Sequence, residues 1–127
     1  MRIEHIAVYV DDLDGARAFF ERYFSAQSGR QYHNPDIGFR SYFLTFEDGA
    51  RLELMRKNGV GKIDNSSPHT GYMHMAFSVG SRENVDSLTR RLRDDGYEVL
   101  SGPRITGDGY YESCIAGFEE ILVEITV

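Results

Sequence analysis

Residues 3–10 alternate, with Ile6, Val8 and Val10 on one face and His5, Ala7 and Tyr9 on the other. That two-residue period is the signature of a β-strand. The period then changes. Ala16, Phe19, Phe20, Tyr23 and Phe24 recur at i, i+3, i+4, i+7 and i+8, the stripe of an amphipathic helix. Asp11 or Asp12 stands where a carboxylate can accept from the helix's first free N–H groups. A polar loop around Asn34-Pro35-Asp36 leads to a strand near Phe39–Phe46. Asp48-Gly49 predicts a tight turn, and Arg51–Met55 the strand that returns from it.

The second half repeats this order. Met73–Val79 reads as a strand, and Ser81 as the cap of a helix carrying Val85, Leu88 and Leu92 inward. Gly96 is placed to end that helix, because glycine adopts the left-handed conformation most easily. Tyr97–Leu100, Tyr110–Ala116 and Ile121–Val127 read as strands, with a turn at Gly117. The pattern predicts an α+β fold in two tandem modules, about 1–57 and 72–127, joined by a turn-rich linker over 58–71. One helix on one small sheet buries little apolar surface, so each module is expected to need a partner, and a homodimer is the economical expectation.

Composition narrows the function classes. A chain of 127 residues with 41% hydrophobic content is the size of one domain and can bury a core without disulfides. The net charge is −6, and no run of basic residues offers a surface for nucleic acid or an anionic membrane. No apolar stretch approaches the roughly 20 residues of a membrane-spanning helix. The first strand pattern begins at Arg2-Ile3, with no apolar leader before it, so a cytoplasmic protein is expected. Cys114 is the single cysteine and is expected as a small core residue rather than a nucleophile.

The candidate chemistry is carried by a second repetition. Glu53 follows His5 by 48 positions, and Glu124 follows His74 by 50. Each histidine opens a strand, and each glutamate sits between apolar neighbours in the last strand of its half, Leu52-Glu53-Leu54 and Val123-Glu124-Ile125. Singly, such residues are more often structural or solvated. The coincidence of type, strand and face weighs the other way. Ala7 and Ala76 share a face with the two histidines and leave room above it. Two imidazoles and two carboxylates suit a divalent ion such as Zn, Ni, Co, Mn or Fe. No thiolate is available for a closed structural zinc site, and four ligands on an octahedral ion leave two positions open. His69 could line the mouth of such a site, whereas His33 reads as surface loop. Gly107-Asp108-Gly109 reads as a turn rather than a phosphate cradle, since no helix follows it.

At His5-Ile6-Ala7-Val8-Tyr9-Val10-Asp11-Asp12-Leu13, Leu52-Glu53-Leu54, His74-Met75-Ala76-Phe77-Ser78-Val79 and Val123-Glu124-Ile125, the chain resembles the vicinal oxygen chelate superfamily, and within it the glyoxalase I-like branch. The resemblance spans essentially the whole chain. It implies paired βαβββ modules forming a U-shaped mixed sheet around a metal cleft, with His5, Glu53, His74 and Glu124 as ligands. It also implies a lactoylglutathione lyase-like isomerisation of a small 2-oxo or hemithioacetal substrate through an enediolate. Glu124 would be the base, with Glu53 the second candidate. Two positions depart from the pattern. Tyr9 stands where many glutathione-using members carry arginine, and Ala116-Gly117-Phe118-Glu119-Glu120 replaces the usual turn before the last strand. A glutathione or other thiol adduct is therefore one substrate class among several. Two alternatives remain open: an Fe(II) dioxygenase, for which two histidines and one carboxylate suffice, and a non-catalytic module that sequesters a drug or other small aromatic.

Overall fold

The computed structural model of the chain describes all residues except 63, 65, 66, 68 and 69. It divides into two compact units, Met1–Lys62 and Ile63–Val127. In the first, β1 (His5–Tyr9) precedes α1 (Leu13–Phe24), β2 (Gln27–Ser28), β3 (Tyr32–Asn34), β4 (Phe39–Thr45) and β5 (Arg51–Lys57). The sheet is mixed and ordered β1-β5-β4-β2, with β3 also on β4. In it β1 runs parallel to β5, and β4 antiparallel to β5. In the second unit, β6 (Met75–Ser78) precedes α2 (Arg82–Asp94), β7 (Glu98–Ile105), β8 (Tyr111–Ala116) and β9 (Leu122–Thr126). Its sheet is ordered β6-β9-β8-β7, again with one parallel pair, β6 on β9.

Both helices begin and end for local reasons. Asp12 Oδ1 accepts from the Gly15 N–H at 3.0 Å, and Ser81 Oγ from the Asn84 N–H at 3.2 Å. Each bond satisfies a donor that a helix start otherwise leaves orphaned. Past α2, Gly96 takes φ +97°, donating to Arg93 O while Tyr97 donates to Leu92 O. That is the two-bond closure glycine makes possible. In contrast, α1 is ended by Ser25, which itself adopts the left-handed conformation at φ 52°.

Each helix covers one face of its own sheet. Leu13, Ala16, Phe19, Phe20 and Tyr23 of α1 are buried, as are Leu44, Leu52 and Leu54 of the strands. On α2 the buried residues are Val85, Thr89 and Leu92, with Met75, Ile115, Val123 and Ile125 from the sheet. Thr89 therefore takes the inward place expected of Leu88, which is only half-buried. Its hydroxyl lies 2.6 Å from the Val85 carbonyl and 2.6 Å from Ser113 Oγ, so the polar atoms are satisfied inside the core.

Three other expectations need correction. The outer strand of the second unit runs to Ile105 instead of stopping at Leu100. It continues past a register shift at Gly102, where a Cβ would stand 2.4 Å from the Glu112 carbonyl oxygen. His33 is not in a loop: it lies in β3, exposed and opposite Arg40. Cys114 is half-buried on the outward face of β8 rather than in the core. His69 lies outside the described residues. Among the described residues, no helix is long and apolar enough to cross a membrane.

Candidate metal-binding half-sites

The face of each sheet turned away from its helix carries the candidate ligands. In the first unit the parallel ladder sets Ala7 beside Glu53, two residues after His5 on β1. In the second it sets Ala76 beside Glu124, two residues after His74, which immediately precedes β6. The same relation of histidine, alanine and glutamate is thus built twice from the same strand pairing. Side chains two positions apart on neighbouring strands and one face are within reach of each other when they are long. The alanines keep the space between them clear.

The two pairs differ in their contacts. His74 Nε2 lies 3.2 Å from Glu124 Oε2, with the imidazole 41% and the carboxylate 22% exposed. His5 instead turns its Nδ1 to Glu4 Oε2 at 2.5 Å. Arg51, the residue opposite His5 in the ladder, pairs with the other oxygen of Glu4. The Arg51 guanidinium lies 4.3 Å above the Phe43 ring, which in turn meets the His5 ring edge-on at 5.4 Å. Bonding to His5 is the main cause that holds the Glu4 carboxyl below the ordinary glutamate range; burial opposes it, and the Arg51 contact adds to the lowering. The second unit surrounds its pair with acid. Cys114 is opposite Glu124 in the ladder, and Glu112 lies two residues before it on β8. Burial first, then the Glu124 charge, raises the Glu112 carboxyl pKa. The same two causes raise that of the Cys114 thiol. A thiol held neutral is a poor nucleophile.

The donor set fits a divalent cation. Two donors each about 2.1 Å from one ion stand roughly 3.0–3.4 Å apart at tetrahedral or octahedral angles. The 3.2 Å between His74 Nε2 and Glu124 Oε2 falls in that range, although an ordinary ion pair has the same spacing. At His5, Nδ1 is engaged and Nε2 has no partner among the described residues. Within either unit, and among the described residues, no group of three or more histidine, cysteine, aspartate or glutamate side chains is placed to hold an ion.

The residues around the ligands were only partly foreseeable. Arg51 and Phe43 follow from strand alternation once Glu53 is chosen. Glu4 does not, because alternation assigns it to the face opposite His5. It lies one residue before β1, where the pleat no longer dictates direction. Glu112 carries no local signal.

Known proteins share this plan. Residues 2–125 match the Glyoxalase/Bleomycin resistance protein/Dioxygenase superfamily. The chain is 28% identical to the ethylmalonyl-CoA/methylmalonyl-CoA epimerase of Cereibacter sphaeroides, over 85% of this chain and 82% of the relative. It is 30% identical to the lactoylglutathione lyase of Haemophilus influenzae, over 81% of this chain and 76% of the relative. A glyoxalase family protein from Bacillus cereus has the same fold, with a TM-score of 0.80 at 22% identity over 99% of this chain and 93% of that one. With a family match over nearly its whole length, the βαβββ order in the second unit and the same order with one extra short strand in the first, the chain belongs to the Glyoxalase/Bleomycin resistance protein/Dioxygenase superfamily, the vicinal oxygen chelate proteins.

Proposed function

We propose that the chain is a divalent-metal enzyme of glyoxalase type, a lyase or isomerase that moves a proton at a carbon next to a carbonyl. His5, Glu53, His74 and Glu124 are its proposed ligands. The observation that carries this reading is the twice-built register, which puts a histidine, a clearing alanine and a glutamate on one face of each unit. A bound ion of the Zn, Ni, Co, Mn or Fe class would supply Lewis-acid stabilisation to the oxygens of a 2-oxo or hemithioacetal substrate. Glu124 is assigned the removal and return of the proton, with Glu53 as the second candidate. Glu112, whose carboxyl is the more readily protonated for its burial and its charged neighbour, stands beside Glu124 as a group that can exchange a proton with it.

The two relatives named above support proton transfer as the common element. The lyase takes its name from a glutathione adduct. The epimerase must invert a carbon next to a thioester, which also needs a proton taken and returned. Tyr9 is half-exposed on the ligand face and gives no cation to a glutathione carboxylate, so the acyl group and thiol carrier are left to the assay. We also propose a homodimer, since β1 and β6 each lie at the edge of a sheet carrying a single helix.

Elemental analysis of the purified protein comes first. It is followed by assay with methylglyoxal plus glutathione and, in deuterated water, by exchange at the α-carbon of methylmalonyl-CoA. About one divalent ion per chain and turnover in one of the two assays is the expected result. Glu53→Gln and Glu124→Gln should stay folded and lose metal, activity or both. Full activity with normal metal content in both variants would sink the ligand assignment. Sedimentation of the purified chain tests the dimer, and a monomer at assay concentration overturns it.

A further inference from the structure

His5 is useful as a ligand only in one of its two neutral forms. A neutral imidazole has one N–H and one lone pair, and the nitrogen that binds a metal must be the bare one. Free histidine in water favours the proton on Nε2, which would block that nitrogen. An ionised carboxylate can only accept, so the 2.5 Å contact between Glu4 Oε2 and Nδ1 requires the proton on Nδ1. Glu4 is itself fixed. Arg51 occupies its other oxygen, the Arg51 N–H donates to the Glu4 carbonyl at 2.9 Å, and the guanidinium rests on Phe43, whose ring abuts the imidazole. The four side chains form a closed ring of contacts around one nitrogen. Among the described residues no comparable ring surrounds His74, where Met73 takes the place of Glu4 and the imidazole meets Glu124 through Nε2.

We infer that Glu4, anchored by Arg51, is a positioning residue that holds His5 in the Nδ1–H form and so presents Nε2 as a metal ligand. The inference rests on the metal reading given above and adds a division of labour to it. The first half has its ligand set in advance by a second carboxylate, while the second half relies on the ligand pair itself. Partners of this kind raise ligand basicity and fix ring orientation, and their loss typically costs about 10–100-fold in metal affinity.

The test uses the full-length protein freed of metal and reads the imidazole nitrogens directly. Long-range proton–nitrogen correlation spectra of 15N-labelled protein near about pH 8, above the usual histidine titration, should show the His5 proton on Nδ1. In Glu4→Ala it should shift toward Nε2, and Co(II) affinity, followed by its visible absorption, should fall about 10–100-fold. Glu4→Gln keeps the shape and an acceptor oxygen without the charge, and should fall between the two. His74 should report the same tautomer in all three proteins. An unchanged His5 tautomer, or an unchanged Co(II) affinity, in Glu4→Ala overturns the inference. Wild-type protein that takes up no Co(II) overturns the metal reading instead, and the two failures cannot be confused. Glu4 is half-exposed and outside the cores, so loss of fold does not obscure the result.

Discussion

In the first unit His5 is turned onto Glu4, and in the second His74 is turned onto Glu124, although both histidines start from the same register against the same kind of parallel strand. Beneath the ligand face the two units diverge in a second way. Tyr42 and Ser113 hold corresponding places, each opposite the residue that follows the candidate glutamate, Leu54 or Ile125. Tyr42 reaches along the sheet to donate to Asp14 Oδ1 of its helix at 3.0 Å. Ser113 stops short and meets Thr89 inside the core. The strand ladder and its small-residue gap are common to both halves. What fills the space on either side of the ladder is free to differ, because apolar packing and a satisfied polar pair are both compatible with it.

If the first unit is held mainly by ring packing, its largest vulnerability is Phe20, fully buried and in ring contact with Phe19 and Phe24. Phe20→Ala is expected to cost about 3–5 kcal/mol, the range for a buried aromatic cut to alanine. Urea unfolding monitored by circular dichroism measures it. A loss under about 1 kcal/mol would mean that the site collapses around the gap, and that the apolar half is not the rigid one.

The second unit should answer differently. Ser113→Ala leaves the buried Thr89 hydroxyl with only the Val85 carbonyl, and Thr89→Val leaves the Ser113 hydroxyl without its partner. Each is expected to cost about 1–3 kcal/mol, the desolvation penalty of a stranded polar group. The double variant Thr89→Val/Ser113→Ala removes both ends, so it should cost clearly less than the two single losses added. Additive losses would show that the pair is not coupled, and the contrast between the two cores would fail.

The contrast also explains how far the sequence could be read. Both helices, the hairpin strands and the doubled order were legible because two periods, 2 and 3.6, alternate cleanly along the chain. Thr89 escaped that reading. A threonine one turn from Val85 looks polar, and only its tertiary partner Ser113 makes it a core residue. The long β7 escaped for a similar reason: its continuation past Leu100 depends on the close approach of Gly102 to β8 and the register shift there, which no local pattern announces. His5, Glu53, His74 and Glu124 were legible as a repeated spacing on shared faces. Glu4 and Glu112 were not, since one breaks the alternation and the other reaches the ligand face through a strand pairing no local pattern announces.

The smallest expected effect separates the two helix-to-sheet locks. Each unit ties a strand tyrosine to a helix aspartate beneath an arginine: Tyr42 to Asp14 with Arg17, and Tyr111 to Asp86 with Arg82. The second bond is the shorter, 2.6 Å against 3.0 Å. The Asp86 carboxylate accepts from the Tyr111 phenol and, with burial and its own charge as lesser causes, raises that phenol's pKa above the ordinary tyrosine value. The folded chain therefore holds this proton more tightly than the unfolded chain does. The stabilisation is complete below the ordinary tyrosine pKa, near about 10, and is lost as the pH rises through the raised value. An alkaline titration followed by phenolate absorbance should show a late-ionising tyrosine that disappears in Tyr111→Phe. The variant should also lose less stability than wild type as the pH climbs past that point. Superimposable titration curves, once the missing tyrosine is allowed for, would mean that the Asp86 bond does not hold the phenol's proton.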